Sequence, residues 1–335
     1  MLITVLVLLG SAALIYVGCE FFVNGVEWVG RKLGIAQNAV GTVLAAFGTA
    51  LPESVVTFVA VVFGATPAAK DIGVGAALGG PLVLATISYG LTGCAILLFR
   101  RHRSQGTELL VDARRLSRDQ LAFLAIFVVK VALGFLMFPG KPLTGFLFLA
   151  AYAVYFWSEL RQESNAEEEE ATLEPLRFRP RTPNPSAGWV FLQTGLALGA
   201  VFVGSQVFVG QLEQLATALG VPGHIMALLL SPVATELPET MNALIWVRQG
   251  KERLALANIS GAMMIQATVP SALGLFFTPW LFDAPLALAS GVTTLAIVYL
   301  ILLLRQGRLT AGKLAFALVG YVAFATTFLF LALPR

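Results

Sequence analysis

Charge is scarce in this chain. Asp, Glu, Lys and Arg together make up 12% of its 335 residues, against 57% hydrophobic ones, too little to clothe a soluble globule. Cysteine is almost absent, and Cys19 and Cys94 both fall inside apolar runs, which argues against a disulfide framework or a thiolate metal site. The two histidines, His102 in a basic loop and His224 at the start of a helix, lack the Cys or His companions of a zinc site. No Walker sequence occurs, which disfavours ATP-driven pumping. Gly73-Val-Gly75 is too short for a dinucleotide fingerprint and has no strand context. The absence of HExxH and GxSG patterns counts against an intramembrane hydrolase, although that class and a non-transporting sensor stay open as alternatives.

What is present is apolar sequence in runs of about 20 residues, long enough to cross a hydrocarbon core as helices. Helices are expected near 3–30, 36–64, 72–99, 120–138, 143–160, 187–216, 222–248, 253–278, 284–304 and 311–333. The fold class is therefore an all-α membrane protein of about ten transmembrane helices, with helices 2 and 7 broken. The first run is read as a retained helix rather than a cleaved signal. Residues 1–160 form a first five-helix unit, 161–186 a cytoplasmic linker, and 187–335 a second unit. The linker carries Glu167 to Glu170 and the Arg-Pro alternation of residues 177–185, and it reads as a solvated segment unable to pack a core.

Basic residues orient the chain. All but four of the 22 Lys and Arg fall on one side of the expected helices, including the cluster from Arg100 to Arg118. That bias marks the cytoplasmic side, so both termini are expected outside the cytoplasm, in the plasma (inner) membrane. The loop arginines are explained by topology and imply no nucleic-acid partner. The expected partners are the lipid bilayer and cation substrates, and oligomeric state is left unassigned.

Five helices per unit is an odd number, so the second unit enters the membrane inverted relative to the first. Self-similarity supports this. A register of 186 residues pairs Gly18 with Gly204, Glu27 with Glu213, Thr49 with Thr235, and Leu51-Pro52-Glu53 with Leu237-Pro238-Glu239. Apolar matches alone would say little, but Glu, Gly and Pro falling on one register are informative. Interrupted helices in inverted repeats are the layout of secondary transporters, whose site lies where the breaks meet.

The stretch Ser231 to Thr240 places Glu236 and Glu239 in an apolar run, and a carboxylate at membrane depth faces a cavity, a partner or an ion. Thr49 with Glu53, and Thr235 with Glu239, sit four apart and offer a hydroxyl and a carboxylate on one helix side. Such hard oxygen ligands suit Na⁺ or Ca²⁺ and are poor for zinc or copper.

The two segments Gly48-Thr-Ala-Leu-Pro-Glu-Ser54 and Thr235-Glu-Leu-Pro-Glu239 resemble the α-repeat motifs of the calcium/cation antiporter superfamily, which includes the sodium/calcium exchangers. The resemblance spans nearly the whole chain. It implies a ten-helix inverted-repeat fold and a cation site formed by Thr49, Glu53, Thr235, Glu239 and Asn258, with transported Ca²⁺, Na⁺ or H⁺ as substrates and no other cofactor; to that set the chain's own Glu236 is added as a candidate ligand. The departures are specific. Ala50 and Glu236 replace the motif serine, and Ala76, Gly80, Pro81, Ala262 and Met263 stand where polar ligands are expected. Gln266, Asn242 and Ser231 are candidates for supporting groups. Three ionised carboxylates carry one negative charge more than Ca²⁺ balances, so Glu236, or whichever acid holds the proton, is expected to couple exchange to protons. The expected activity is exchange of Ca²⁺ or a related cation for H⁺ or Na⁺ by alternating access. The alternative on the same fold is exchange of Na⁺ or K⁺ for H⁺.

Overall fold

The computed structural model describes residues 1–33, 50–100, 109, 111–163 and 173–332, and among them regular structure is helical, with no strand. Helix α1 (Leu2–Lys32) is followed by α2 (Leu51–Phe58), which runs on through a π-helical turn, Val59–Phe63. Helices α3 (Pro67–Val83) and α4 (Tyr89–Phe99) are joined by a second π-helical turn, Leu84–Ser88. Then come α5 (Ala113–Phe135), α6 (Gly145–Glu163), α7 (Ala187–Leu219), α8 (Gly223–Thr235), α9 (Leu237–Arg248), α10 (Glu252–Phe277) and α11 (Ala284–Arg305). Two segments, α12 (Ala311–Ala315) and α13 (Ala317–Ala332), end the series.

Six of these rods are long and apolar enough to cross a membrane: Leu2–Lys32, Pro67–Phe99, Ala187–Leu219, Glu252–Phe277, Ala284–Arg305 and Ala311–Phe330. Leu51–Phe63 and Gly223–Thr235 are shorter apolar helices. The protein is an integral, multi-pass, all-helical membrane protein. Large apolar side chains such as Ile3, Leu147, Val154 and Phe330 are exposed on its outside, as a lipid-facing surface requires.

Local chemistry sets the boundaries. Thr66, Asp112 and Asp283 each accept a backbone N–H of the first turn, from Ala69, Arg115 and Leu286 at 3.0, 3.0 and 3.2 Å, the usual task of an N-cap oxygen. Gly220 ends α7 at φ +66, a left-handed conformation that glycine adopts without steric cost. Lys141 fastens the loop before α6 by donating to the carbonyls of Leu136, Pro279 and Trp280 at 2.7, 3.0 and 3.0 Å.

Helix α1 lies along α7. A Cβ on Gly18 would meet the Val201 side chain at 2.9 Å, and one on Gly204 would meet the Ile15 side chain at 3.0 Å. Under the register of 186 residues, Gly18 corresponds to Gly204 and Ile15 to Val201, so the crossing is reciprocal, as at a two-fold axis. Helices α3 and α10 occupy the centre, with nearly every residue of α10 from Ile259 to Ala272 buried.

The linker is not wholly solvated, contrary to the expectation from its charge. Residues 173–186 dock across α1 and α7. Leu176 is fully buried beside Trp28 and Val190, and Trp28 Nε1 donates to the Glu174 carbonyl at 3.0 Å. Asn24 Oδ1 accepts from Arg177 N at 3.0 Å and from Gln193 Nε2 at 2.9 Å, while Gln193 Oε1 accepts from Phe178 N at 2.8 Å. Composition hid this because two buried amides, Asn24 and Gln193, supply the hydrogen bonds that the strap cannot make to itself.

Candidate cation site

The site grows from two backbone interruptions. Helix α8 stops at Thr235, and Glu236, at φ −98 and ψ −3, hands over to α9, which carries Pro238 at its second position. Ala50 takes the same conformation, φ −83 and ψ −1, immediately before α2 and Pro52. The two residues correspond under the register of 186, so Leu-Pro-Glu follows an equivalent corner twice. A proline in the first turn loses no helical bond but cannot pair with the turn before it, and Glu53 and Glu239 each lie three residues beyond their corner.

Glu236 is 1% exposed. Its Oε1 accepts from Thr235 Oγ1 at 2.7 Å and its Oε2 from Gln266 Nε2 of α10, also at 2.7 Å. Glu53 approaches from α2 and lies within hydrogen-bonding reach of Glu236. It is equally buried, and no N–H or O–H of the described residues reaches either of its oxygens. Two carboxyls in such a contact need a proton or a cation between them, because like charges are not tolerated at that distance in a poorly solvated interior.

Gly80 of α3 provides the floor. A Cβ there would meet Glu53 Oε2 at 2.5 Å and Gln266 Oε1 at 2.9 Å. Glycine stands at a position where a polar ligand was expected because the Glu53 carboxyl itself fills that space. Gln266 Oε1, beside Glu53 at Gly80, is buried without a hydrogen-bond partner among the described residues, as are Thr57 Oγ1, four residues after Glu53, and Ser231 Oγ, five before Glu236. Buried polar groups are ordinarily satisfied, so this collection of spare oxygens suits a hard cation.

The structure thus brings together Glu53, Thr235 and Glu236, and promotes Gln266 from a candidate supporting group to a direct partner. Glu239 is fully buried one helical turn beyond Glu236. However, no group of three His, Cys, Asp or Glu among the described residues is arranged to hold one metal ion. The three acids therefore form an acid pair with a third acid nearby. The Asn258 amide nitrogen on α10 has no hydrogen-bond partner among the described residues and makes no described bond to the pair. Thr49 lies outside the described residues.

Sequence reasoning passed over Lys130, one of the four basic residues off the cytoplasmic side of the expected helices. It is fully buried on α5, donates to the Ala77 carbonyl at 2.9 Å, and stands 5.0 Å from the Phe127 ring centre. The signal was available: a lysine amid an apolar helix needs a partner. A cavity of about 270 Å³ opens at the ends of α3, α8 and α11, lined in part by Asp71, His224, Trp280 and Asp283. His224 Nε2 and Asp283 Oδ2 are 2.7 Å apart in its wall. The acid pair does not line this cavity.

The family model for the sodium/calcium exchanger protein matches residues 3–160 and 189–330. The chain belongs to the sodium/calcium exchanger protein family. Among relatives of this exchanger-family chain, a protein of Alkalimonas amylolytica assigned by name as the antiporter CaxA is 26% identical over 314 residues, 91% of each chain. The inner membrane protein YrbG of Escherichia coli K12 is 26% identical over 306 residues, covering 90% of this chain and 87% of YrbG. In fold, the exchanger-family chain is similar to the sodium-calcium exchanger NCX_Mj, with TM-score 0.62 at 20% identity, covering 97% of this chain and 98% of that one. It is also similar to the H⁺/Ca²⁺ exchanger CAX, with TM-score 0.73 at 16% identity, covering 99% and 82%.

Proposed function

We propose that this protein is a secondary active cation antiporter, not an enzyme, working by alternating access at the Glu53–Glu236 pair. The observation that carries the reading is the pair itself: two buried carboxyls from opposed corners, within hydrogen-bonding reach, with no protein donor on Glu53. Such a pair holds a proton when no cation is present and releases it when a cation enters, so one site serves both ions by turns. Thr235 and Gln266 orient Glu236 for either occupant through their 2.7 Å bonds.

The two halves act as inverted repeats within ten spans, 1–160 and 187–335. This is supported by the reciprocal contacts of Gly18 and Gly204 and by the matching corners at Ala50 and Glu236. Rocking one repeat against the other would expose the pair to each side in turn. The relatives' names support cation exchange in kind: one is a sodium-calcium exchanger, another an H⁺/Ca²⁺ exchanger. The cargo is accordingly Ca²⁺ or a related cation, exchanged for H⁺ or Na⁺.

The test is a cation-flux screen in proteoliposomes, with pH and Na⁺ gradients imposed separately. Cation uptake driven by a proton gradient, with proton counterflow, is expected, and Glu53→Gln and Glu239→Gln should each abolish it. Normal flux in both variants would refute the site, and a rate independent of pH between about 6 and 8 without proton counterflow would refute the coupling.

A further inference from the structure

The strap over α1 and α7 carries an inference that does not depend on which ions are exchanged. One membrane-crossing helix ends at Lys32 and another begins at Ala187, and Lys32 Nζ donates to Asn184 Oδ1 at 2.7 Å. The two helix ends and the strap beside them therefore lie at one level, where hydrocarbon gives way to headgroups. Trp189, in the first turn of α7, is 38% exposed, and this boundary is the usual place for a tryptophan. Leu192 and Leu196 continue the same exposed face of α7 at helical spacing.

The strap is fastened inward through Leu176 and its backbone, which leaves its arginine side chains exposed. Arg177 is taken by carboxylates, with Glu174 Oε2 at 3.2 Å and Glu20 Oε2 at 3.7 Å. Arg31, Arg179 and Arg181 are exposed and have no carboxylate partner among the described residues, Glu27 one turn before Arg31 included. Two of them are braced by indoles instead. The Arg179 guanidinium stands over the Trp189 ring at 4.1 Å from its centre, and that of Arg31 over Trp28 at 5.1 Å. Trp28 packs with Leu176 and Val190, the neighbour of Trp189, so both arginines flank one cluster. Arg181 follows in the turn that Thr182 N closes on the Arg179 carbonyl at 3.0 Å. A guanidinium stacked on a ring engages only its face. The edge that bears its N–H groups stays free, and that fork matches a phosphate.

We propose that Arg179, with Arg31 and Arg181, binds the phosphate of an anionic phospholipid whose acyl chains lie along Trp189, Leu192 and Leu196. Cationic forks at headgroup level, next to an exposed apolar helix face, are complementary to that class of molecule at both ends. Free phosphate would use only the polar half of the surface. A zwitterionic lipid would bring its own cation against the arginines. A lipid held in this way ties the strap to the leaflet as well as to α1 and α7.

The experiment titrates the detergent-solubilised full-length protein with phosphatidylglycerol or phosphatidylcholine and counts bound lipid by native mass spectrometry. The wild-type protein should take up phosphatidylglycerol at about tenfold lower concentration than phosphatidylcholine. Arg31→Gln, Arg179→Gln and Arg181→Gln together should abolish that preference. The control triple, Arg248→Gln, Arg305→Gln and Arg308→Gln, changes exposed arginines elsewhere and should keep the preference within about twofold of wild type. Arg179→Lys keeps the charge but gives up the stacked fork, and should weaken phosphatidylglycerol binding by about fivefold. An equal loss in the two triple variants, or Arg179→Lys within about twofold of wild type, reduces the effect to diffuse surface charge and overturns the proposal. Displacement of the lipid by inorganic phosphate would assign the arginines to a soluble anion, which also overturns it. So does a wild-type protein without preference, the result expected if the chain's own Glu167 to Glu170 covers the arginines.

Discussion

At the scale of single residues, the site is a problem of where to put charge. Glu236 has its oxygens occupied by Thr235 and Gln266, so its position is fixed, whereas Glu53 is held mainly by the shape around it. Gly80 supplies that shape. Replacing it by alanine places a methyl group where Glu53 Oε2 and Gln266 Oε1 now stand, an overpacking that costs about 1–3 kcal/mol and is relieved by moving the Glu53 side chain. Gly80→Ala is therefore expected to raise the half-saturating cation concentration by about tenfold, about 1.4 kcal/mol. Gly10→Ala, where an added Cβ meets nothing within 4 Å, should change nothing. Equal flux kinetics in the two variants would show that the Glu53 position is unimportant. The glutamates were legible in the sequence because a carboxylate in an apolar run stands out. Gln266 was visible only as a candidate support, because an amide in a membrane helix has many neighbours to choose among. The place of Lys130 was not legible, since nothing in its own helix says that a proline in α3, far away in the chain, has freed a carbonyl for it.

At the scale of elements, helix positions followed closely from runs of apolar residues and from proline. The expected spans at 187–216, 253–278 and 284–304 agree with α7, α10 and α11 to within a few residues, and the expected break in 222–248 falls at Glu236. The first half of the expected span 36–64 lies outside the described residues. The π-helical turns at Val59–Phe63 and Leu84–Ser88 left no mark in composition, because they change the hydrogen-bond register without changing which residues are apolar. The strap was misread for a different reason: its own residues are polar, and its holding groups belong to α1 and α7. Asn24 is the centre of that attachment. Asn24→Ala removes the acceptor of Arg177 N and Gln193 Nε2 and leaves two donors unmet, at a cost of about 1–3 kcal/mol. The expected outcome is faster tryptic cleavage after Arg177 and Arg181 in detergent-solubilised protein, the Arg179–Pro180 bond being resistant to trypsin. Cleavage at the wild-type rate would mean that the strap is held by Leu176 and Trp28 alone.

At the scale of the whole molecule, the reciprocal contacts of α1 and α7 and the equivalent corners at Ala50 and Glu236 are what two copies of one unit would make when related by an axis in the membrane plane. That relation requires the two units to begin on opposite sides. Combined with the Lys and Arg bias, the proposed inversion predicts that the strap, the α9–α10 turn and the end of α4 face the cytoplasm and that the α5–α6 loop and both termini face the other side. The buried thiol of Cys19 and the half-buried one of Cys94 can be replaced by alanine to give a background without thiols. In that background, Thr182→Cys and Lys251→Cys should react with a membrane-impermeant maleimide only in inside-out vesicles, and Met137→Cys, at an exposed loop position, only in right-side-out vesicles. Labelling of all three from one face would contradict the inversion, because the first two precede and follow an even number of crossings relative to each other and an odd number relative to the third. If the labelling reverses as a set, the inversion stands and only the orientation is overturned, which separates the claim made by the fold from the claim made by the charges.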